Sequence, residues 1–164
     1  MAAQLAAIDG AFRAVTPEEI AHYKKFGWVK LEKFIPIDMV NDLLAMAKDK
    51  MGERGDRNLP PEAFSYFNPL TLRGLNDPLL RPIIDHCGLT GRALMGRRKD
   101  VGVRYFTDFF AVKQPTKEKK EGAGGAGDSD WHQDYASSGS DRSGGMVFWA
   151  ALTPMGPEKG TMAF

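Results

Sequence analysis

His132 and Asp134 stand two residues apart in the stretch Asp130-Trp131-His132-Gln133-Asp134-Tyr135. On a β-strand such residues point to one face, with α-carbons about 6.5 Å apart. An imidazole nitrogen and a carboxylate oxygen projected that way can take neighbouring positions on one metal ion. That donor pair suits iron(II), and two histidines with one carboxylate form a facial triad that leaves positions open for a chelating co-substrate and dioxygen. A structural zinc site would close its shell instead, usually with cysteines, and this chain has one, Cys87. Gln133 points to the opposite face and is a spacer. Taken alone the pair is a weak signal, because a surface histidine and aspartate at a strand end read the same way.

The other reactive side chains have plainer readings. His22 falls on a helix, as a surface or interhelix residue. His86 is expected at the C-terminal end of a helix, where an imidazolium interacts well with the helix dipole. Cys87 lies between Ile83-Ile84 and Gly88, the setting of a buried structural thiol. A lone cysteine excludes an internal disulfide and favours a reducing compartment. The net charge of +1 gives no general attraction to nucleic acid or anionic membrane. The basic run Lys117 to Lys120 has no interleaved aromatics for base stacking and reads as a solvated loop. No run approaches a membrane span and the N-terminus lacks a cationic flank before an apolar stretch, so the chain is expected in the cytoplasm.

The elements around the pair follow from local pattern. Residues 1–15 are an alanine-rich, flexible lead-in, and 16–164 are one domain. Thr16-Pro17-Glu18-Glu19 is a capping box opening a helix that stops at Gly27. Trp28 to Phe34 alternates as a half-exposed strand. Asp38 is placed to cap a helix whose apolar residues, Met39, Val40, Leu43, Leu44, Ala47 and Met51, share one face up to Gly52. Glu53 to Asn76 is loop-like, with a separate segment near Phe64 to Phe67. Asp77-Pro78 opens a helix from Leu79 to His86, closed by Gly88. Val101 to Lys113 predicts one long strand, or two joined by a kink near Thr107-Asp108. A glycine-rich loop, Gln114 to Asp130, precedes short strands at Trp131 to Tyr135 and Met146 to Leu152. A turn at Pro154 to Lys159 then leads into a strand from Gly160. Helices first and strands later predict an α+β fold: N-terminal helices packed on a double-stranded β-helix, a cupin-like jelly roll.

In order, the Trp131-His132-Gln133-Asp134 box, Phe148-Trp149-Ala150-Ala151-Leu152-Thr153-Pro154 and Pro157-Glu158-Lys159-Gly160-Thr161-Met162 resemble the phytanoyl-CoA dioxygenase family. There the box is followed by a Trp-x-Ala-Leu strand and a Pro-Glu-Asn-Gly turn; Lys159 stands here where Asn is usual. Upstream, Phe109 to Pro115 looks like the Lys-Pro-Pro strand end before the box. Thr16 to Glu19 with Phe26-Gly27-Trp28-Val29 looks like the family's first helix and strand, so the resemblance covers nearly the whole chain.

The resemblance implies an iron(II)- and 2-oxoglutarate-dependent dioxygenase that hydroxylates a small organic substrate with dioxygen. His132 and Asp134 would be iron ligands, and Phe109 and Trp149 would help form the 2-oxoglutarate pocket; plain barrel core is the alternative for both aromatics. Related halogenases carry a small residue where Asp134 stands, which favours hydroxylation. The family's third ligand, a histidine, and its co-substrate arginine lie beyond the position of Phe164. The chain is therefore expected to be part of a longer one, and inactive by itself. Glu53 to Asn76 and Gln114 to Asp130 are expected to frame the entrance. Two alternatives stay open: a non-catalytic jelly-roll binding or scaffold domain that retains the box, and a cupin-like metalloenzyme without a keto-acid co-substrate.

Overall fold

A computed structural model of the chain describes residues 11–54, 65–67, 74, 76–98, 100–112, 144–159 and 161–162. It divides into two compact units, Met1–Leu43 with Pro69–Asp108 and Leu44–Asn68 with Phe109–Ala163.

The first unit opens before its first helix. Phe12 is buried, and Arg13 binds the carboxylate of Glu19. Helix α1, Pro17–Phe26, has the expected capping box: Thr16 Oγ1 accepts from the Glu19 amide at 3.2 Å, and Glu19 Oε2 accepts from the Thr16 amide at 2.8 Å. Gly27 ends it in the left-handed region, φ 80°, which a side chain would oppose, and donates to the Tyr23 carbonyl at 2.8 Å.

The strand expected over Trp28 to Phe34 is not formed. The alternation holds, with Val29 and Leu31 half-buried and Lys30 and Glu32 exposed, but the backbone turns at Glu32-Lys33, where Lys33 has φ 53°. The Glu32 carbonyl accepts from Arg13 Nε at 2.6 Å, a side-chain partner in place of a ladder.

Helix α2, Ile37–Met51, starts one residue before the expected cap, so Asp38 sits in its first turn, where its charge suits the helix dipole. Val40 donates to the Pro36 carbonyl at 3.0 Å, and Gly52 ends the helix with φ 83°. The division between the units runs along it, after Leu43. Its apolar stripe is as expected, with Leu43, Ala47 and Met51 buried, and Met46 joins them.

Helix α3, Leu80–Leu94, begins as expected: Asp77 Oδ1 accepts from the amides of Leu79 and Leu80 at 2.9 and 3.1 Å. It does not close at Gly88 but runs two further turns to Leu94, with Gly96 beyond at φ 62°. Gly88 lies within the helix, where a Cβ would make only ordinary contact with that of Val103 at 3.9 Å. His86 is consequently mid-helix, away from the dipole end, and its imidazole stacks on Phe12 and Phe34 at 4.5 and 4.6 Å between ring centroids. Leu80, Thr90, Gly91 and Leu94 complete the buried side of α3.

In the second unit, β1, Ser65–Phe67, pairs antiparallel with β2, Phe110–Val112, in the register Ser65 to Val112 and Phe67 to Phe110. The long strand expected from Val101 is thus confined to its end. Residues 102–109 are irregular, and at the expected kink, in the first unit, Tyr105 Oη donates to Asp108 Oδ1 at 2.5 Å. Met146 to Leu152 is irregular too, without a ladder among the described residues. The turn after it forms as a 3₁₀ segment, Pro157–Lys159, in which Lys159 donates through its amide to Gly156 O and through Nζ to Pro154 O, both at 2.9 Å. The expected strand Trp131 to Tyr135 and the loop Gln114 to Asp130 lie outside the described residues.

Candidate metal centre

Of the residues assigned to the centre from the sequence, His132 and Asp134 lie outside the described residues, and Phe109 and Trp149 lie within them. Both aromatics belong to the second unit. Phe109 directly precedes β2 and is 60% exposed. Trp149 is 48% exposed in the irregular stretch before the 3₁₀ turn. Neither is buried core, so each has ring surface to offer a bound molecule.

Strand β2 explains which aromatic is presented. Successive residues face opposite sides, and Phe110 and Val112 are half-buried while Ala111 is exposed. Phe109 shares the open side with Ala111. The sequence singled out Phe109 but not the Tyr105–Asp108 bond that precedes it; the signal lay in an aromatic and an acid flanking the kink.

The two described histidines pack against aromatic rings. His86 lies between two phenyl rings. His22 is half-buried against Phe26, at 4.6 Å, and edge-on to Trp28, at 4.8 Å. It borders an open cleft of about 310 Å³ with Glu18, Glu19, Trp28, Val29 and Lys30. Much of the charge there is committed: Glu19 to Arg13, and Lys30 to Glu32 at 2.9 Å. Among the described residues no three histidine, cysteine, aspartate or glutamate side chains converge as a metal site. Desolvation pushes the Cys87 thiol up to about 12, which disfavours the thiolate.

No protein-family model, curated protein or solved structure matches the chain. The donor types of the His132-Gln133-Asp134 box, one neutral nitrogen and one anionic oxygen, fit iron(II). Among the described residues no helix is long and apolar enough to cross a membrane.

Proposed function

We propose that this chain is part of an iron(II)- and 2-oxoglutarate-dependent dioxygenase of the phytanoyl-CoA dioxygenase type, built on a jelly roll and hydroxylating a small organic substrate. The observation that carries the proposal is the ordered sequence set: the Trp131 to Asp134 box, the Trp149-Ala150-Ala151-Leu152 segment and the Pro157 to Gly160 turn. The open faces of Phe109 and Trp149 support it, because a co-substrate pocket needs ring surface that core packing has not consumed.

His132 and Asp134 would hold the iron, which when bound supplies coupled activation of dioxygen and oxidative decarboxylation of 2-oxoglutarate to succinate and carbon dioxide. Phe109 and Trp149 would pack against the methylene carbons of the co-substrate and exclude water from its reacting end. Asp134 keeps a carboxylate at the position a halide would need, so the product is hydroxylated.

In the longer protein that would carry the third ligand and the co-substrate arginine, iron(II)-dependent conversion of 2-oxoglutarate to succinate tests the reading. Activity lost in both His132→Ala and Asp134→Ala supports it. Iron binding without any succinate, in that longer protein shown to be folded, would favour the non-catalytic binding domain instead.

A further inference from the structure

We propose that the open cleft beside the first turns of α1 is a site for an organic cation, an ammonium head on a small apolar group, with Trp28 as its aromatic wall and Glu18 as its counter-charge. The cleft belongs wholly to the first unit and includes none of the residues assigned to iron or 2-oxoglutarate.

Its walls decide the class of ligand. A cleft of about 310 Å³ is at the small end of ligand sites and suits a group of a few carbons. Trp28 and Val29 are half-buried, so each keeps apolar surface open to the cleft they line. The indole is held edge-to-face against His22, at 4.8 Å and an interplanar angle of 79°. His22 in turn packs on Phe26 at 4.6 Å. Its Nε2 is buried with no hydrogen-bond partner among the described residues, so the imidazole acts as a packed ring that backs the indole. A tryptophan supported in this way offers a fixed aromatic surface, and tryptophan attracts cations best of the aromatic side chains.

The charge has a definite sign. Of the charged side chains lining the cleft, Glu19 is neutralised by Arg13 at 2.7 Å and Lys30 by Glu32 at 2.9 Å. Glu18 remains, with no cationic partner among the described residues. Its own amide and the Thr16 hydroxyl hold its carboxyl below the ordinary range, so it is anionic at neutral pH. One uncompensated negative charge beside an indole is complementary to a monocation and repels an anion. Glu18 is exposed, so its attraction is screened by water and salt, and millimolar affinity is expected.

Nuclear magnetic resonance of the indole N–H groups follows Trp28 apart from Trp131 and Trp149, and Trp28→Phe assigns the signal. Choline is the probe for a free cation, capped lysine for a side chain of a partner protein, and dimethylbutanol, the carbon isostere of choline, for the same shape without charge. Choline should shift the Trp28 signal saturably, and dimethylbutanol should bind about fivefold more weakly. Glu18→Gln, on the exposed side of α1, should weaken choline about threefold and leave the isostere unchanged. Trp28→Leu, read at the Val29 amide, should abolish choline binding; if circular dichroism shows that variant unfolded, Glu18→Gln decides. No saturable shift at Trp28, equal binding of choline and its isostere, or full choline affinity in folded Glu18→Gln overturns the site. Capped lysine binding more tightly than choline assigns the cleft to a peptide, and the reverse order to a free cation; either supports it.

Discussion

Arg13 grips both carboxylate oxygens of Glu19, Nη1 to Oε2 at 2.9 Å and Nη2 to Oε1 at 2.7 Å, while its Nε reaches the Glu32 carbonyl at 2.6 Å. One guanidinium thus joins the segment before α1, the first turn of α1 and the turn before Phe34. The fork suits bidentate binding, and Glu19 is already oriented by the capping box. Arg13→Ala should cost about 1–2 kcal/mol in chemical denaturation, toward the low end because the pair is partly exposed. Arg13→Lys should recover little, since an ammonium cannot hold both oxygens and the carbonyl together.

The same pair predicts an acid-dependent term. The hydrogen bond from Arg13 holds the Glu19 carboxyl below its ordinary range, despite an opposing push from burial. A depressed carboxylate stabilises the fold above its unfolded-state value, and that contribution is lost as pH falls through the lowered folded value. The stability gap between wild type and Glu19→Gln should therefore be constant near neutrality and shrink progressively below about pH 4.5. Urea melts of both proteins at a series of pH values would show it; a gap that widens in acid contradicts the assignment.

His86 should behave as a core aromatic. Its ring lies at interplanar angles of 25° to Phe12 and 33° to Phe34, so truncation leaves both phenyl rings facing a void. His86→Ala should cost about 1–3 kcal/mol, below a fully buried large-to-small change because the ring is half-buried. His86→Phe should cost less, and iron(II) affinity should match wild type in both folded variants. Loss of metal binding in His86→Phe would instead make His86 a ligand.

Parts of this architecture were legible because they depend on neighbours in sequence. Thr16, Pro17 and Glu19 spell a capping box, Gly27 and Gly52 supply the left-handed residues after two helices, and Asp77 offers a cap. Gly88 does not stop α3: glycine's backbone freedom is local information, whereas the helix's continuation past it goes with the tertiary burial of Thr90, Gly91 and Leu94. Trp28 to Phe34 carried the right alternation, but alternation reports which side chains face inward and not whether a partner strand exists. The Arg13 to Glu32 contact spans 19 residues and had no local signature. For the metal box, the residue types and spacing name the donors, and Phe109 and Trp149 were singled out with barrel core as the alternative; their exposure is what the fold adds.

That exposure gives the last prediction, because ring burial and ring availability have opposite consequences for Trp149. A tryptophan in a packed core costs about 3–5 kcal/mol when cut to alanine. At 48% exposed, in an irregular stretch, Trp149 should cost well under that, near 1 kcal/mol, in Trp149→Ala. Ligand binding should move the other way. If the indole lies against the co-substrate, adding 2-oxoglutarate with iron(II) should change the emission of the wild-type chain. Trp28 and Trp131 also emit, so the comparison that decides is Trp149→Phe: its response should be largely lost while an aromatic ring remains to bind. Trp149→Ala should weaken 2-oxoglutarate about tenfold without reducing iron(II) affinity, separating a pocket wall from a ligand. A large stability loss with unchanged co-substrate affinity would return Trp149 to the core and leave Phe109 as the only described aromatic of the proposed pocket.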